Sequence, residues 1–296
     1  MKLVSLYPIR FALVAAASAV IFVSCQKNTD EDVNAPAASD PELAAEMMEA
    51  DASYNEVQDI ALTAADEEGI ESAGRGNDVR LNLFLQLRLR IGNNASITVS
   101  PNDNTYPKTV TIDFGNGAMG ADLRSRKGKI ILHLTGPIRE AGSVLTITLE
   151  NYKVGPLQIS GTKVITNLSA NGEIRFSVEV DGGQVRFPNG RGYVYETSKY
   201  ITQVAGAATQ QLSDDIYEIE GEVHTTFSNG RTVTLTTIDN LVKKANCAWV
   251  SDGSLDIEVN GVDFSLDYRY PANGGCDNKA LLQWNNNTEQ KIVILP

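Results

Sequence analysis

The apolar residues of this chain keep three rhythms in turn, and each predicts a different element. Phe11 to Val23 form an almost unbroken apolar run behind the positive charges of Lys2 and Arg10, with the small Ser24 after it. That is the layout of an export leader. Phe11 to Ser24 gives only about 21 Å of helix, against a hydrocarbon core of about 30 Å, so it is too short to span a membrane. From residue 39 the spacing changes. Leu43, Met47, Ala50, Tyr54, Val57, Ala61 and Ala64 recur every three or four residues, which predicts a helix with one apolar stripe. Ser39-Asp40-Pro41-Glu42 supplies its start, as a Ser39–Glu42 capping box or as an Asp40 cap with Pro41 in the first turn, and Gly69 its stop. The stripe is poor in large residues, so the helix is expected to dock loosely.

From residue 78 the period becomes two. Val79, Leu81, Leu83, Leu85, Leu87, Leu89 and Ile91 alternate with Arg80, Asn82, Phe84, Gln86, Arg88 and Arg90. Leucine favours helix, but strict alternation marks a half-buried strand, and the period decides for strand. Further strands follow at residues 96–99, 109–114, 129–135 and 144–151. In the second half, Asn229-Gly230, Asp252-Gly253 and Asn260-Gly261 read as hairpin turns, because Asn-Gly and Asp-Gly tolerate the positive φ that a type I′ turn requires. Residues 248–251 and 254–259 are thus expected to flank a turn at Asp252-Gly253. The fold class is all-β, an antiparallel hairpin-rich sandwich or open meander, preceded by an acidic tether and one amphipathic helix.

Charge divides the chain at the same place as period. The chain carries 37 acidic and 25 basic residues, a net −12. Residues 26–77 alone are −12, whereas residues 78–296 are −2. The expected organisation is a leader at 1–24, an anchor and acidic tether at 25–38, an acidic amphipathic helix and linker at 39–77, and a β body at 78–296. An acidic stretch and a nearly neutral body do not suit phosphate binding, so a nucleic-acid partner is not expected. An echo within the body pairs Ile112-Asp113-Phe114 and Gly120-Ala121-Asp122 with Leu266-Asp267-Tyr268 and Gly275-Cys276-Asp277. It has two readings, two related β units split near 155 or a shared strand-to-loop solution.

Cys25 directly follows the leader. A cysteine first after the cut resembles the bacterial lipoprotein type, which implies acylation of its thiol and a membrane partner through the lipid; Phe22 stands where Leu is usual in that pattern. Gln26-Lys27-Asn28-Thr29-Asp30-Glu31-Asp32 resembles the acidic surface-export signal of Bacteroidota-type lipoproteins, which implies an outer-membrane, cell-surface location. The stretches Tyr106–Gly115, Arg124–Ile130 and Gly275–Ala280 resemble a family of uncharacterised surface-exposed lipoproteins of the same bacteria, over roughly 95–296. The resemblance implies no activity. Relatives carry further cysteines near the positions of Ala95 and Met119, where this chain has none.

Cys247 and Cys276 remain as an even pair, and export favours a disulfide between them over free thiols or metal. Closing that loop would contribute about 3.6 kcal/mol in the chain-entropy model. His133 and His224 are the only histidines, each inside a strand pattern and neither near a Gly-x-Ser-x-Gly elbow. Asp113 with Asp122, or Asp267 with Asp277, are candidate carboxylate pairs. Aspartates at strand ends more often cap turns. Asp113, Asn116 and Asp122, or Asn102, Asp103 and Asn104, are weak calcium candidates. Arg124, Arg126, Lys127 and Lys129 form the one dense basic cluster. They could clamp an anionic glycan or, more economically, pair with the acidic helix. Tyr193, Tyr195, Tyr200, Trp249 and Trp284 could form a sugar platform or pack in the sheet. The candidate ligand surface is therefore Arg124, Arg126, Lys127, Trp249 and Trp284. No catalytic residue, metal or cofactor is assigned. The expected function is non-enzymatic, a structural or protein-binding surface lipoprotein, with a glycan-binding accessory role as the alternative.

Overall fold

The computed structural model describes residues 40–69, 84–85, 87–188, 190–209, 212–227, 230–270 and 274–295. The leader, Cys25, the tether and the break at Gly74-Arg75-Gly76 lie outside them. Helix α1 spans Asp40–Gly69. Strands follow in chain order: β1 (Ser96–Ser100), β2 (Lys108–Asp113), β3 (Ala118–Met119), β4 (Ser125–Leu134), β5 (Val144–Val154), β6 (Leu157–Asn167) and β7 (Ile174–Arg186). Then come β8 (Gly192–Ala205), β9 (Ile216–Phe227), β10 (Thr232–Lys244), β11 (Val250–Val259), β12 (Val262–Asp267), β13 (Lys279–Trp284) and β14 (Glu289–Ile294). They make one antiparallel sheet in which each strand pairs with its sequence neighbour, except that β2 passes to β4 and β3 is appended to β4. Of the two expected all-β forms, the open meander is the one present.

Period-two patterning places the side chains as expected. In β5, Leu145, Ile147, Tyr152 and Val154 are buried while Thr148, Glu150 and Lys153 are exposed. The hairpin between β11 and β12 pairs Val259 with Val262. Its turn residues Asn260 and Gly261 have φ of 49° and 82°, the two positive values a type I′ turn needs. Gly155-Pro156, where two β units would divide, is instead the tight turn between paired strands β5 and β6. The sheet runs on through it.

Two local expectations are corrected. Residues 84, 85 and 87–91 are helical, not a strand. Leu87 and Ile91, four apart, are fully buried, whereas Leu85 and Leu89 are 50% and 61% exposed. The alternation was a run of leucines with charged spacers, and helix propensity together with the i, i+4 pair at Leu87 and Ile91 decided the outcome. Asp252-Gly253 is not a turn but part of β11, opposite a register shift in β10. There Gly253 takes a φ of +100°, and a Cβ on it would lie 2.4 Å from the Asn240 carbonyl oxygen. This is the close approach of a bulge, which also recruits Asp-Gly.

The largest correction concerns α1. Its stripe is buried as expected, but so are Ala44, Met48, Asp51, Ser53, Gln58, Ile60 and Ala65. At 100° per residue these cover about 240° of the helix circumference. A helix buried over most of its surface belongs to a core, not to a loose appendage. The sheet curls around it: α1 touches β4 and β5 on one side and β11 on another. One hydrophobic core includes Met47, Val57 and Ile60 of the helix with residues of β2 through β13. Cys247 and Cys276 are disulfide-bonded, with Cα atoms 5.6 Å apart, within the usual range.

Candidate functional site

The ionisable groups with the most perturbed environments lie in the seam between α1 and the sheet. The sequence builds this seam by placing basic residues in the inward phase of strands. Arg126 shares that phase with Ile130, Leu132 and Leu134, Lys163 with Leu157, Ile159 and Ile165, and Lys199 with Tyr193, Tyr195 and Ile201. The helix answers with Asp51, Glu56 and Asp59.

At the first contact, Asp51 accepts hydrogen bonds from Tyr195 Oη at 2.6 Å and Lys199 Nζ at 2.7 Å. Burial pushes the Asp51 pKa up, but Lys199 and the Tyr195 hydrogen bond outweigh it and hold the carboxyl below its ordinary value. Tyr54 stacks on Tyr195, ring centroids 4.1 Å apart, and donates to the Ser160 carbonyl at 2.8 Å. Lys163 Nζ donates to the Tyr54 carbonyl at 3.0 Å and to Gln58 Oε1 at 3.2 Å. Burial, and then the Lys199 charge, drop the Lys163 pKa to about 7.

At the second contact, Glu56 accepts from both Arg124 and Arg126. Arg126 is fully buried. Its Nε lies 2.6 Å from Glu56 Oε1, and its Nη1 lies 3.1 Å from Asp122 Oδ1. Arg124 Nη2 adds a bond to Ser53 Oγ at 3.0 Å. Burial disfavours the Arg126 charge, but Asp122 and Glu56 more than restore it. At the third contact, Asp59 takes Arg90 at 3.1 Å and Lys243 at 3.7 Å.

The expected ligand surface is thus divided. Arg124 and Arg126 hold the acidic helix, the more economical of their two readings. Trp249 packs against the core. Trp284 packs on Phe264, ring centroids 6.0 Å apart, and donates to Glu289. Arg126 is fully buried and so belongs to no surface, and β4 and β13 do not pair. The aromatic platform dissolves in the same way. Tyr193 and Tyr195 point inward, whereas the exposed Tyr200 stacks under Arg175 at 4.5 Å.

The strand-end aspartates all cap turns. Oδ1 of Asp113, Asp122, Asp267 and Asp277 each accepts the backbone N–H two residues on, at Gly115, Arg124, Arg269 and Lys279. Both halves of the internal echo thus carry the same Asx turn. Asp103 does the same with Thr105. His133 Nδ1 lies 3.4 Å from Thr109 Oγ1 and His224 Nδ1 3.0 Å from Thr234 Oγ1, both cross-strand contacts.

Lys127 and Lys129 of the basic cluster face outward, onto a depression of about 550 Å³. Lys129, Lys153 and Asp113 line it with Lys127, and Lys127 stands directly across from Lys153 in the β4–β5 register. Lys129 lies 3.6 Å from Asp113. Lys153, Lys163, Lys199 and Lys243 escaped the sequence reading. A charged residue in phase with apolar neighbours was the available signal for Lys163 and Lys199. Set against protein-family models, curated proteins and solved structures, the chain matches none of them.

Proposed function

We propose that the protein is a non-enzymatic module held by a lipid on Cys25 at the outer face of the outer membrane, where it serves as a scaffold or binds another protein. The leader and the acidic run after Cys25 support the location. The observation that carries the non-enzymatic role is where the charged groups of the seam are used. Asp51, Glu56, Lys199 and Arg126 are saturated by one another in the helix–sheet seam, so they act as structural fastenings. Fractionation tests the anchor. Cys25→Ser should leave the membrane fraction or persist as uncut precursor; an acylated and cleaved mutant refutes it. Neutralising Asp30, Glu31 and Asp32 should keep the lipid but protect the protein from protease on intact cells.

A second reading, an anionic-glycan-binding accessory, draws on the lysine depression. Like charges facing each other across a strand pair cost stability, and an anion between Lys127 and Lys153 would remove that cost. Arrayed sulfated or uronate-bearing glycans should then bind, and Lys127→Glu should abolish the signal. Binding that survives this change would place the ligand elsewhere.

A further inference from the structure

Beside the C-terminal half of α1 the curled sheet leaves a cleft of about 140 Å³. Its wall is apolar, formed by Leu62 of α1, Phe176 of β7, Ile201 of β8, Ile219 of β9 and Ile138 between β4 and β5. Arg90, Arg139 and Lys243 also line it, against Asp59 and Asp215. Arg139 and Asp215 have partners of their own, whereas Arg90 and Lys243 share the single carboxylate of Asp59. Asp215 accepts from Gln203 Nε2 at 2.9 Å and from Tyr217 Oη at 3.1 Å.

Of Arg90 and Lys243, Lys243 lies farther from the shared carboxylate. Its side chain is 17% exposed, and Asp59, its one ion-pair partner, is beyond hydrogen-bonding distance at 3.7 Å. Its Nζ also donates to the Ala248 carbonyl. Burial lowers its pKa, with Asp59 opposing and Arg90 adding to the effect. A second negative group here would complete the pairing of two cations that now divide one carboxylate. A short apolar body would cover the wall. An apolar cavity of about this size takes a benzene-sized group, and an apolar pocket with a few convergent polar groups is the usual form of a small-molecule site.

We propose that this cleft binds a short aliphatic or aromatic monocarboxylate, its carboxylate between Arg90 and Lys243 and its body against Leu62, Phe176, Ile201 and Ile219. The charge on the ligand is the discriminating feature. An alcohol of the same length keeps the apolar contact and loses the ion pair, and an amine brings another cation to a positive rim.

The test is calorimetric titration of the chain from residue 25 to 296, carrying Cys25→Ser so that no acyl group competes, with hexanoate, hexanol and hexylamine. Hexanoate should bind saturably and about tenfold more tightly than hexanol, the value of a charge-assisted hydrogen bond, with hexylamine weakest. Lys243→Met should bring hexanoate down to the hexanol level and leave hexanol unchanged. If that variant fails to fold, Arg90→Gln, at a side chain 33% exposed, should lower hexanoate binding in the same direction. Leu62→Trp, with an unchanged melting curve, should remove both ligands, and Lys127→Glu should remove neither. Equal binding of hexanoate and hexylamine, no saturable binding of any of the three, or hexanoate binding that survives Leu62→Trp would overturn the proposal.

Discussion

Glu56→Gln is the sharpest test of the helix–sheet seam. The substitution keeps the shape of the side chain and removes the negative charge facing two guanidinium groups, of which Arg126 is fully buried. Removing one partner of a buried pair leaves an uncompensated charge and costs about 3–5 kcal/mol. Asp122 still holds Arg126 from its other side, so the lower end, about 3 kcal/mol, is expected. Domains of ordinary stability have only about 5–15 kcal/mol in total, so the loss should be plain in urea denaturation at neutral pH as a lower midpoint with an unchanged slope. A half-exposed pair, Arg175 with Glu220 at 2.8 Å, supplies the control, and Glu220→Gln should cost at most about 1 kcal/mol. Salt separates the two further. At about 1 M salt the screening length is about 3 Å, which should erase the Glu220 effect and leave most of the Glu56 effect. If Glu56→Gln costs no more than Glu220→Gln, or its cost vanishes in salt, the seam is not what holds α1.

Three further outcomes follow from the same packing. A chain beginning at Asn77, which lacks α1, should fail to unfold cooperatively, because Met47, Tyr54, Val57 and Ile60 are buried and each contributes about 1.5–3 kcal/mol; a sharp two-state transition in that chain would refute it. Lys163→Met should raise stability by a few kcal/mol, on the order of the shift from 10.5 to about 7. Since the unfolded chain binds the proton that the folded one releases, the gain should be greatest below about pH 7 and shrink as pH rises toward 10, and a gain that grows with pH contradicts it. Replacing both Cys247 and Cys276 by Ala should lower stability by about 3.6 kcal/mol, read from denaturant midpoints of the oxidised protein and the double variant, with no difference between the two refuting it.

The strand portion was largely legible because period two is a strong local signal and the meander asks only that neighbours pair. Asn260-Gly261 announced its turn for the same local reason. The failures came where a local pattern had two physical meanings. Leucine alternation before residue 91 suited either a half-buried strand or a helix with Leu87 and Ile91 inward, and Asp252-Gly253 suited a turn or a bulge. The helix was found but its role was misjudged, because Asp51, Glu56 and Asp59 read as a solvated acidic face. Their partners lie on β4, β8 and β10 or in the helical segment at Arg90, and nothing local links them. The clue was at the far end of two of those pairs: Arg126 and Lys199 stand where their strands' apolar side chains stand. A charge in that phase needs a counter-charge, and an acidic helix was the nearest supply. The cleft left no sequence signal, since its wall is assembled from five separate segments.

The position of α1 between the tether and the sheet also sets a mechanical order. The chain runs from Cys25 into Asp40 and only after Gly69 toward the strands. Tension between the proposed anchor at Cys25 and anything gripping the sheet therefore reaches α1 before β1. To draw the helix out, the load must break the Asp51, Glu56 and Asp59 contacts and unstack Tyr54 from Tyr195. Until then no strand is peeled from this side. Once the helix is gone, the force passes to β1, the first edge of the meander, where hairpins can unzip one at a time. The acidic helix thus works as a fuse for pulling from its own side, and single-molecule stretching between the N-terminal end and a handle within β7 should show one early event on withdrawal of α1, followed by smaller steps.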